Sequence, residues 1–162
     1  MNGKQQVSRT VQAATDPAAV WGVIADSGLL PQWAGVVTAV TYPGGGQEGV
    51  GMTRHCNVDL GGRTGTTTER CVELLPNRRA GYVVDDDTLG FHRMLVDYGF
   101  TITLDPRSDR TTALRIDTYH TPRNPLYALL HRLVLRRRMR RTVDGLLQGL
   151  KQISERRGTQ AA

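Results

Sequence analysis

Four side chains suited to acid–base or oxyanion chemistry, Arg54, Arg70, Tyr98 and His120, occur in segments where apolar and polar residues alternate. Such alternation predicts β-strands with one buried face. Because side chains two residues apart share a face, each of the four is predicted to point inward with its apolar neighbours. A buried arginine can hold an enolate, carboxylate or carbonyl oxygen, and a tyrosine or histidine can donate or remove a proton.

Each of these residues also has a structural interpretation, which the sequence leaves open. Arg54 and Arg70 can instead pair with acidic neighbours at the rim of the interior, because charged side chains are rarely buried without a partner. His120 stands near the end of its segment, where an exposed or structural role is common. Tyr98 occupies an apolar position of its alternating segment, as an ordinary core residue does.

The two cysteines indicate a reducing compartment, and neither is predicted to be catalytic. Val72 and Leu74 set the inward face of their segment, which turns Arg70 inward and Cys71 outward, whereas Cys56 is predicted to face inward. Two cysteines so placed are too few for a disulfide scaffold or a zinc site. Free thiols are typical of a reducing compartment, so we expect a cytoplasmic protein.

Seven strands and three helices are predicted to position these residues. The alternating segments predict strands over residues 5–14, 36–42, 51–60, 63–75, 80–85, 93–104 and 111–121. Asp16 and Asn124 each supply an N-cap side chain that is followed directly by a proline, which suits the first helical position. They predict a short helix to about residue 26, followed by a second piece over 29–33, and a long C-terminal helix.

The long helix is predicted over residues 126–157 and ends at Gly158. An antiparallel sheet alone would leave one face in water, and this helix is long enough to cover that face. The predicted fold is therefore α+β, a helix-grip arrangement in which a curved seven-stranded antiparallel sheet wraps around the helix. Residues 1–158 are predicted to form a single domain, and residues 159–162 a frayed tail.

Three stretches of sequence carry a family resemblance: ATDPAAVW at residues 14–21, LPQW at 30–33 and TERCVELLPNRRAGY at 68–82. Together with the order of elements, they resemble the START and birch-pollen-allergen-like (SRPBCC) superfamily, in particular its bacterial polyketide cyclase/dehydrase and lipid-transport branch. The resemblance implies a cavity between sheet and helix and an inward-facing Tyr82. Members bind sterols, lipids, hormones or polyketides and only some are enzymes, so the fold alone does not give the function.

The residues predicted to line that cavity share the inward face of the sheet and of the helices. They are Trp33, Met52, Cys56, Tyr82, Met94, Val96, Phe100, Ile116, Thr118, Leu126, Leu129 and Leu133. The three leucines belong to a stripe with spacings of three and four that continues through Val143 and Leu147. A mostly apolar chamber with a few polar groups fits a ligand with a large apolar body and some carbonyl or hydroxyl groups.

Chemistry that depends on a metal or a cofactor has no support in the sequence. It contains no nucleophile elbow, no P-loop and no dinucleotide-binding glycine pattern. The four histidines lack metal-ligand spacing. The sequence therefore predicts neither a metal nor a cofactor.

The net charge of +6 arises in the C-terminal segment, since residues 126–162 carry nine basic and two acidic side chains. Its densest part contains Arg136, Arg137, Arg138, Arg140 and Arg141. These arginines form either a solvated helix face or a contact surface for an acidic carrier protein or an anionic membrane. Nucleic acid is disfavoured, because no stacking aromatic residues are interleaved with them. Two of them fall on the apolar stripe, which leaves open whether they face the cavity or solvent.

Three hypotheses about function follow. In the first, the protein binds a hydrophobic or aromatic small molecule and cyclises or dehydrates a polyketide-like substrate by orientation and proton transfer, without a cofactor. In the second, it is a non-catalytic carrier or sensor of a lipid or quinone. In the third, it is an interaction protein that acts through the arginine-rich helix. A monomer and a homodimer are both compatible with the sequence.

Overall fold

The computed structural model describes residues 3–46, 48–108 and 110–160. Seven strands form one antiparallel sheet in the order β1-β7-β6-β5-β4-β3-β2. They are β1 (Gln5–Ala13), β2 (Val37–Thr41), β3 (Thr53–Asp59), β4 (Thr64–Leu75), β5 (Arg79–Asp87), β6 (Leu95–Ser108) and β7 (Thr111–Pro122). The predicted α+β helix-grip fold is confirmed.

Two of the helices, α1 and α4, begin where the two N-cap signals predict. They are α1 (Pro17–Ile24), α2 (Leu30–Trp33) after a 3-10 turn (Ser27–Leu29), α3 (Phe91–Met94), α4 (Pro125–Leu130) and α5 (Arg136–Gln160), with a π-helical turn (His131–Leu135) joining the last two. The Asp16 carboxylate accepts a hydrogen bond from the backbone of Ala19 at 2.8 Å. The Asn124 side chain accepts one from the backbone of Tyr127 at 2.9 Å. Each side chain thus satisfies a backbone donor of the first helical turn.

Helix α5 packs against β1, α1 and α2. Val143, Leu147 and Leu150 of the predicted stripe are buried there. At Gly158 the helix lies so close to Thr15 that a β-carbon would collide with its hydroxyl. This glycine therefore permits close packing and does not end the helix, so the predicted end at Gly158 is wrong. The predicted tail continues the helix as far as Gln160, and its last two residues lie outside the described part of the chain.

A register shift in β4 reverses the predicted orientation of Arg70. The shift lies between Cys71 and Glu73, so Val72 is an extra residue relative to β5. Since a bulge changes which residues share a face, Val72 does not report the orientation of the residues before it. Cys71 is buried, and Arg70 is partly exposed on the opposite face. The predicted inward Arg70 and outward Cys71 are both wrong.

A second irregularity shortens the alternation predicted for residues 93–104. Met94 ends α3, and Asp97 has a positive φ of 54° where the pairing with β7 shifts register. A left-handed residue re-aims the side chains that follow it. Met94 and Val96 are therefore partly exposed, whereas Leu95 between them is buried.

No helix within the described residues is both long enough and apolar enough to cross a membrane.

Candidate functional site

The buried guanidinium of Arg54 is the centre of a polar cluster on the inner face of the sheet. It projects from β3 and is 4% exposed. Its Nε and Nη2 donate to Oε2 of Glu69 at 3.1 and 2.9 Å. Its Nη1 donates to the hydroxyl of Ser27 at 2.9 Å. Burial disfavours the charge of Arg54, but the Glu69 carboxylate, together with Tyr82, Cys56 and Glu48, outweighs this effect, and the pKa of Arg54 is raised.

A second carboxylate, Glu48, completes what we call the Arg54 cluster: Ser27, Tyr42, Glu48, Arg54, Glu69 and Tyr82. Glu48 Oε2 lies 3.5 Å from Nη1 of Arg54. Its two oxygens accept hydrogen bonds from Tyr82 at 2.9 Å and Tyr42 at 2.5 Å, and the Ser27 hydroxyl also donates to it. The guanidinium carbon of Arg54 lies 4.0 Å from the centre of the Tyr82 ring, a cation–π contact.

Every nitrogen of the Arg54 guanidinium has a protein partner. The cluster therefore links the side chains of β3, β4 and β5. Burial, and next the hydrogen bond to Glu48, raises the pKa of Tyr42 to about 12. Burial also raises the pKa of Tyr82, although nearby Arg54 opposes the effect. Both phenols therefore keep their protons and stay donors to Glu48 at neutral pH. The alternative in which Arg54 pairs with acidic neighbours is the one found here.

A pair of buried histidines forms a second polar site, on β7 and the π-helical turn. The Nε2 atoms of His120 and His131 lie 2.8 Å apart. The two side chains are 0% and 5% exposed. Burial, and next the neighbouring His131, lowers the pKa of His120 to about 4. Burial, and next Arg136, lowers the pKa of His131. Both rings are neutral at pH 7, so one donates its Nε2–H and the other accepts it.

Two polar atoms near the histidine pair are buried without a partner in the described residues. They are Nδ1 of His120 and the hydroxyl oxygen of Thr118, two residues earlier on the same strand face. Tyr98 packs with its ring centre 6.0 Å from that of His120, in an edge-on arrangement. Burial raises the pKa of Tyr98 to about 12. The neighbourhood of the pair thus contains a ring nitrogen and a hydroxyl without protein partners in the described residues, and a neutral phenol.

Aromatic side chains separate the two polar sites. Phe100 stacks on Tyr82 of the Arg54 cluster, with ring centres 5.3 Å apart. Its strand partner is Thr118, beside the histidine pair. On the inner face of β5, β6 and β7, the stacked rings of Tyr82 and Phe100 therefore lie between the Arg54 cluster and the histidine pair.

The structure places the predicted site residues in three environments. Trp33, Cys56, Tyr82, Ile116, Thr118, Arg54 and His120 are buried; Met52, Arg70, Met94, Val96, Tyr98 and Phe100 are partly exposed; and Leu126, Leu129 and Leu133 are exposed. Burial raises the pKa of Cys56 to about 12, so its thiol is not a nucleophile at neutral pH. Arg70 forms an exposed bidentate pair with Asp85 at 2.8 and 2.9 Å, away from the interior.

The prediction that the three leucines face the sheet is wrong, and the π-helical turn is the reason. A π-turn holds one residue more than an α-turn, so it rotates α4 by about 100° relative to α5. The stripe that is buried in α5 therefore does not continue inward through α4. His131 is instead the buried residue of this segment.

Two surface depressions flank α5. One, of about 330 Å³, is lined by Gln152, Glu155 and Arg156. The other, of about 290 Å³, lies between residues 5–9 of β1 and the side chains of Arg136 and Arg140. Both arginines are exposed, so they face solvent and not the interior.

Sequence reasoning missed Ser27, Tyr42, Glu48, Glu69 and His131. One signal was available: a hairpin centred on Gly61 and Gly62 pairs Arg54 with Glu69, as the structure has it. A buried arginine needs a carboxylate, and that cross-strand position supplies one. His131 has no comparable signal, because its contact with His120 depends on the course of the chain between β7 and the π-turn.

The sequence matches, over residues 4–155, the family described as polyketide cyclase/dehydrase and lipid transport. The chain therefore belongs to this family, whose description supports a function in binding a hydrophobic ligand. A comparison with curated proteins found no match.

Solved structures share the fold. The Zhui aromatase/cyclase from Streptomyces sp. R1128 has a TM-score of 0.76 at 20% identity, with 93% of each chain covered. TTHA0849 from Thermus thermophilus has a TM-score of 0.72 at 17% identity, over 91% of this chain and 95% of its own. A START superfamily protein from Mycobacterium smegmatis has a TM-score of 0.66 at 15% identity, over 98% and 100%. At these identities the likeness concerns the fold alone.

Proposed function

We propose that the chain binds a hydrophobic or aromatic, oxygen-bearing small molecule of the polyketide type between the sheet and the C-terminal helix, and that it catalyses cofactor-free proton transfer on that ligand. The observation that carries the proposal is the open Nδ1 of buried, neutral His120. Buried polar atoms normally have partners, and a ligand carbonyl or hydroxyl group is a suitable partner for this nitrogen.

The histidine pair suits proton transfer because it has two tautomeric arrangements. When His120 donates its Nε2–H to His131, Nδ1 of His120 is a bare acceptor. When the Nε2 proton belongs to His131, Nδ1 of His120 carries a proton that it can donate. When Nδ1 of His120 takes a proton from the ligand, the Nε2 proton of His120 can pass across the 2.8 Å contact to His131, which then carries the positive charge. The proton gained at Nδ1 is afterwards available for donation back to the ligand.

This proton transfer matches the chemistry of cyclisation. Nδ1 of His120 removes a proton from the carbon next to a ligand carbonyl, and the resulting enolate forms a carbon–carbon bond to a second carbonyl. The oxygen of that second carbonyl takes up a proton, and later loss of the hydroxyl group and a neighbouring proton releases water. In this proposal the Tyr98 hydroxyl, whose proton is retained at neutral pH, donates to a carbonyl oxygen, and the packing of its ring against His120 supports this role.

Arg54 has a positioning role in this proposal. Each of its three nitrogens already donates to Glu69 or Ser27, so we assign it to holding the strands and not to contact with an enolate. Arg70 is placed outside the site by its exposed pair with Asp85. The acid–base work therefore falls to His120, assisted by His131 and Tyr98.

Non-catalytic transport is the second candidate, and the apolar character of the walls favours it. Phe100 and Ile116, on the strands that carry the polar atoms, and Trp33 of α2 supply apolar surface to the interior. A carrier needs this surface and one or two hydrogen bonds, and it needs no proton relay. The two candidates share a ligand site and differ in what His120 does to the ligand.

The first experiment identifies the ligand. Native mass spectrometry of freshly purified protein, followed by denaturing extraction, is expected to reveal a bound hydrophobic molecule with carbonyl or hydroxyl groups. Protein that is empty, and that also fails to bind the apolar fluorophore ANS, contradicts the ligand site itself.

The second experiment separates enzyme from carrier. A short β-diketone thioester in D₂O is followed by NMR for hydrogen exchange at the carbon between its carbonyls, and by mass spectrometry for a cyclised product. We expect His120→Gln to abolish exchange while ANS binding is retained, and the exposed control His55→Gln to behave as wild type. Exchange equal to the protein-free rate in the wild type, with binding intact, supports the carrier.

A further inference from the structure

The segment that joins β7 to α5 exposes a group of aliphatic side chains that a folded protein normally buries. Leu126 is 71% exposed and Leu133 is 68% exposed, and Leu129, Leu130 and Val134 are also exposed. The four leucines follow spacings of three and four, so they share one helix face. Contiguous apolar surface of this kind marks an interaction site.

The same segment has a large excess of positive charge. Seven arginines and no acidic residue occur between residues 123 and 143: Arg123, Arg132, Arg136, Arg137, Arg138, Arg140 and Arg141. All seven are exposed. Among the described residues, none of them forms a salt bridge. We call residues 123–141 the leucine–arginine segment.

The π-helical turn brings the leucines and the arginines to the same side of the helix. By rotating α4 relative to α5, it turns the leucine face away from the sheet. Arg137 and Arg141, four residues apart in α5, share one exposed face that follows the turn. An apolar face of about two turns thus passes directly into a polybasic one.

From this layout we propose that the leucine–arginine segment docks the protein on an anionic phospholipid bilayer. The leucines enter the boundary between headgroups and acyl chains, and the arginines contact headgroup phosphates, as in an interfacial amphipathic helix. Charge complementarity selects an anionic partner, and the aliphatic face selects one with an accessible hydrocarbon layer.

This inference does not depend on the proposed catalysis. His120 lies beneath the segment, and its partner His131 belongs to the segment itself. Docking would therefore bring the histidine pair close to the membrane.

Co-sedimentation with extruded vesicles tests the proposal. The full chain is mixed with vesicles of phosphatidylcholine alone, or of phosphatidylcholine and phosphatidylglycerol, at low and high salt. We expect binding to the mixed vesicles that weakens as salt rises, and little binding to phosphatidylcholine alone. Equal binding to both vesicle types, or to neither, overturns the proposal.

Two variants separate the two halves of the surface. Arg137→Gln with Arg141→Gln is expected to weaken binding about fivefold per arginine. Leu129→Ser with Leu133→Ser is expected to weaken it about tenfold or more, with the salt dependence retained. These side chains are exposed, so the thermal unfolding of both variants should match the wild type. Arg156→Gln, an exposed arginine near the other end of α5, is the matched control and should bind as wild type.

An acidic protein is the competing partner for this surface. Salt-sensitive capture of a purified acyl carrier protein, without binding to phosphatidylglycerol vesicles, would assign the surface to a protein partner and sink the membrane proposal. Vesicle binding that survives the leucine substitutions unchanged would likewise contradict insertion.

Discussion

The Arg54 cluster and the histidine pair are equally well buried, yet they differ in how completely the protein satisfies them. In the cluster, two carboxylates and three hydroxyls surround one guanidinium, and every nitrogen of Arg54 has a partner. In the pair, one contact joins two neutral rings, and Nδ1 of His120 has none within the described residues. Satisfied buried polar groups stabilise a fold, whereas unsatisfied ones cost stability and mark sites of function. The Arg54 cluster is therefore interpreted as a stabilising network, and the histidine pair as the candidate reactive site.

The largest effect should come from removing one side of the Arg54 network. Glu69→Ala leaves a buried guanidinium without its principal counter-charge, and we expect a loss of about 3–5 kcal/mol in the free energy of unfolding. Urea denaturation followed by circular dichroism measures it. Arg70→Ala on the same strand is the control: it removes an arginine–carboxylate pair that water already screens, so little change is expected. Similar losses in both variants would contradict the distinction between the buried and the exposed pair.

An intermediate effect should appear as a pH dependence of stability. In the native state the pKa of His120 is lowered to about 4 from its ordinary 6.5, so the unfolded chain binds a proton more readily between these values. Stability is therefore expected to fall as the pH drops from about 6.5 towards 4. His120→Gln should flatten this dependence, while the exposed His55→Gln should preserve it. Urea midpoints measured at several pH values provide the comparison, and a slope unchanged by His120→Gln would refute it.

The smallest effect on stability should come from Thr118→Val. The Thr118 hydroxyl is buried without a partner in the described residues, so replacing it with a methyl group of similar size removes an unsatisfied group. We expect a change within about 0.5 kcal/mol of zero, or a slight gain. Retention of the co-purified ligand, measured by native mass spectrometry, should nevertheless decrease. A variant that is strongly destabilised would show that the hydroxyl has a structural partner.

Much of the fold was predictable because its signals are local. The N-cap side chains Asp16 and Asn124 start their helices through contacts three residues away. Alternation assigned the inward face of β3 correctly, since no register shift interrupts its pairing with β4. The burial of Arg54 followed from that alternation.

The errors arose where one extra residue changes the phase of a pattern. In β4 the bulge at Val72 reversed the assignment of Arg70 and Cys71. In the C-terminal helix the π-turn reversed that of the leucines. Neither irregularity was recognised from the sequence, because the alternation and the leucine spacing can each be continued across it without a break. The contacts of Glu48 and His131 depend on how loops and helices return to the sheet, which periodicity does not report.

The π-helical turn also makes the chain sensitive to a change in its length. Deleting one residue within His131–Leu135 would restore an uninterrupted α-helix and turn α4 through about 100°. The leucines would then join the stripe of Val143 and Leu147 and face the sheet, and the histidine pair would be lost. Loss of one codon would thus convert a protein with exposed leucines into one that buries them.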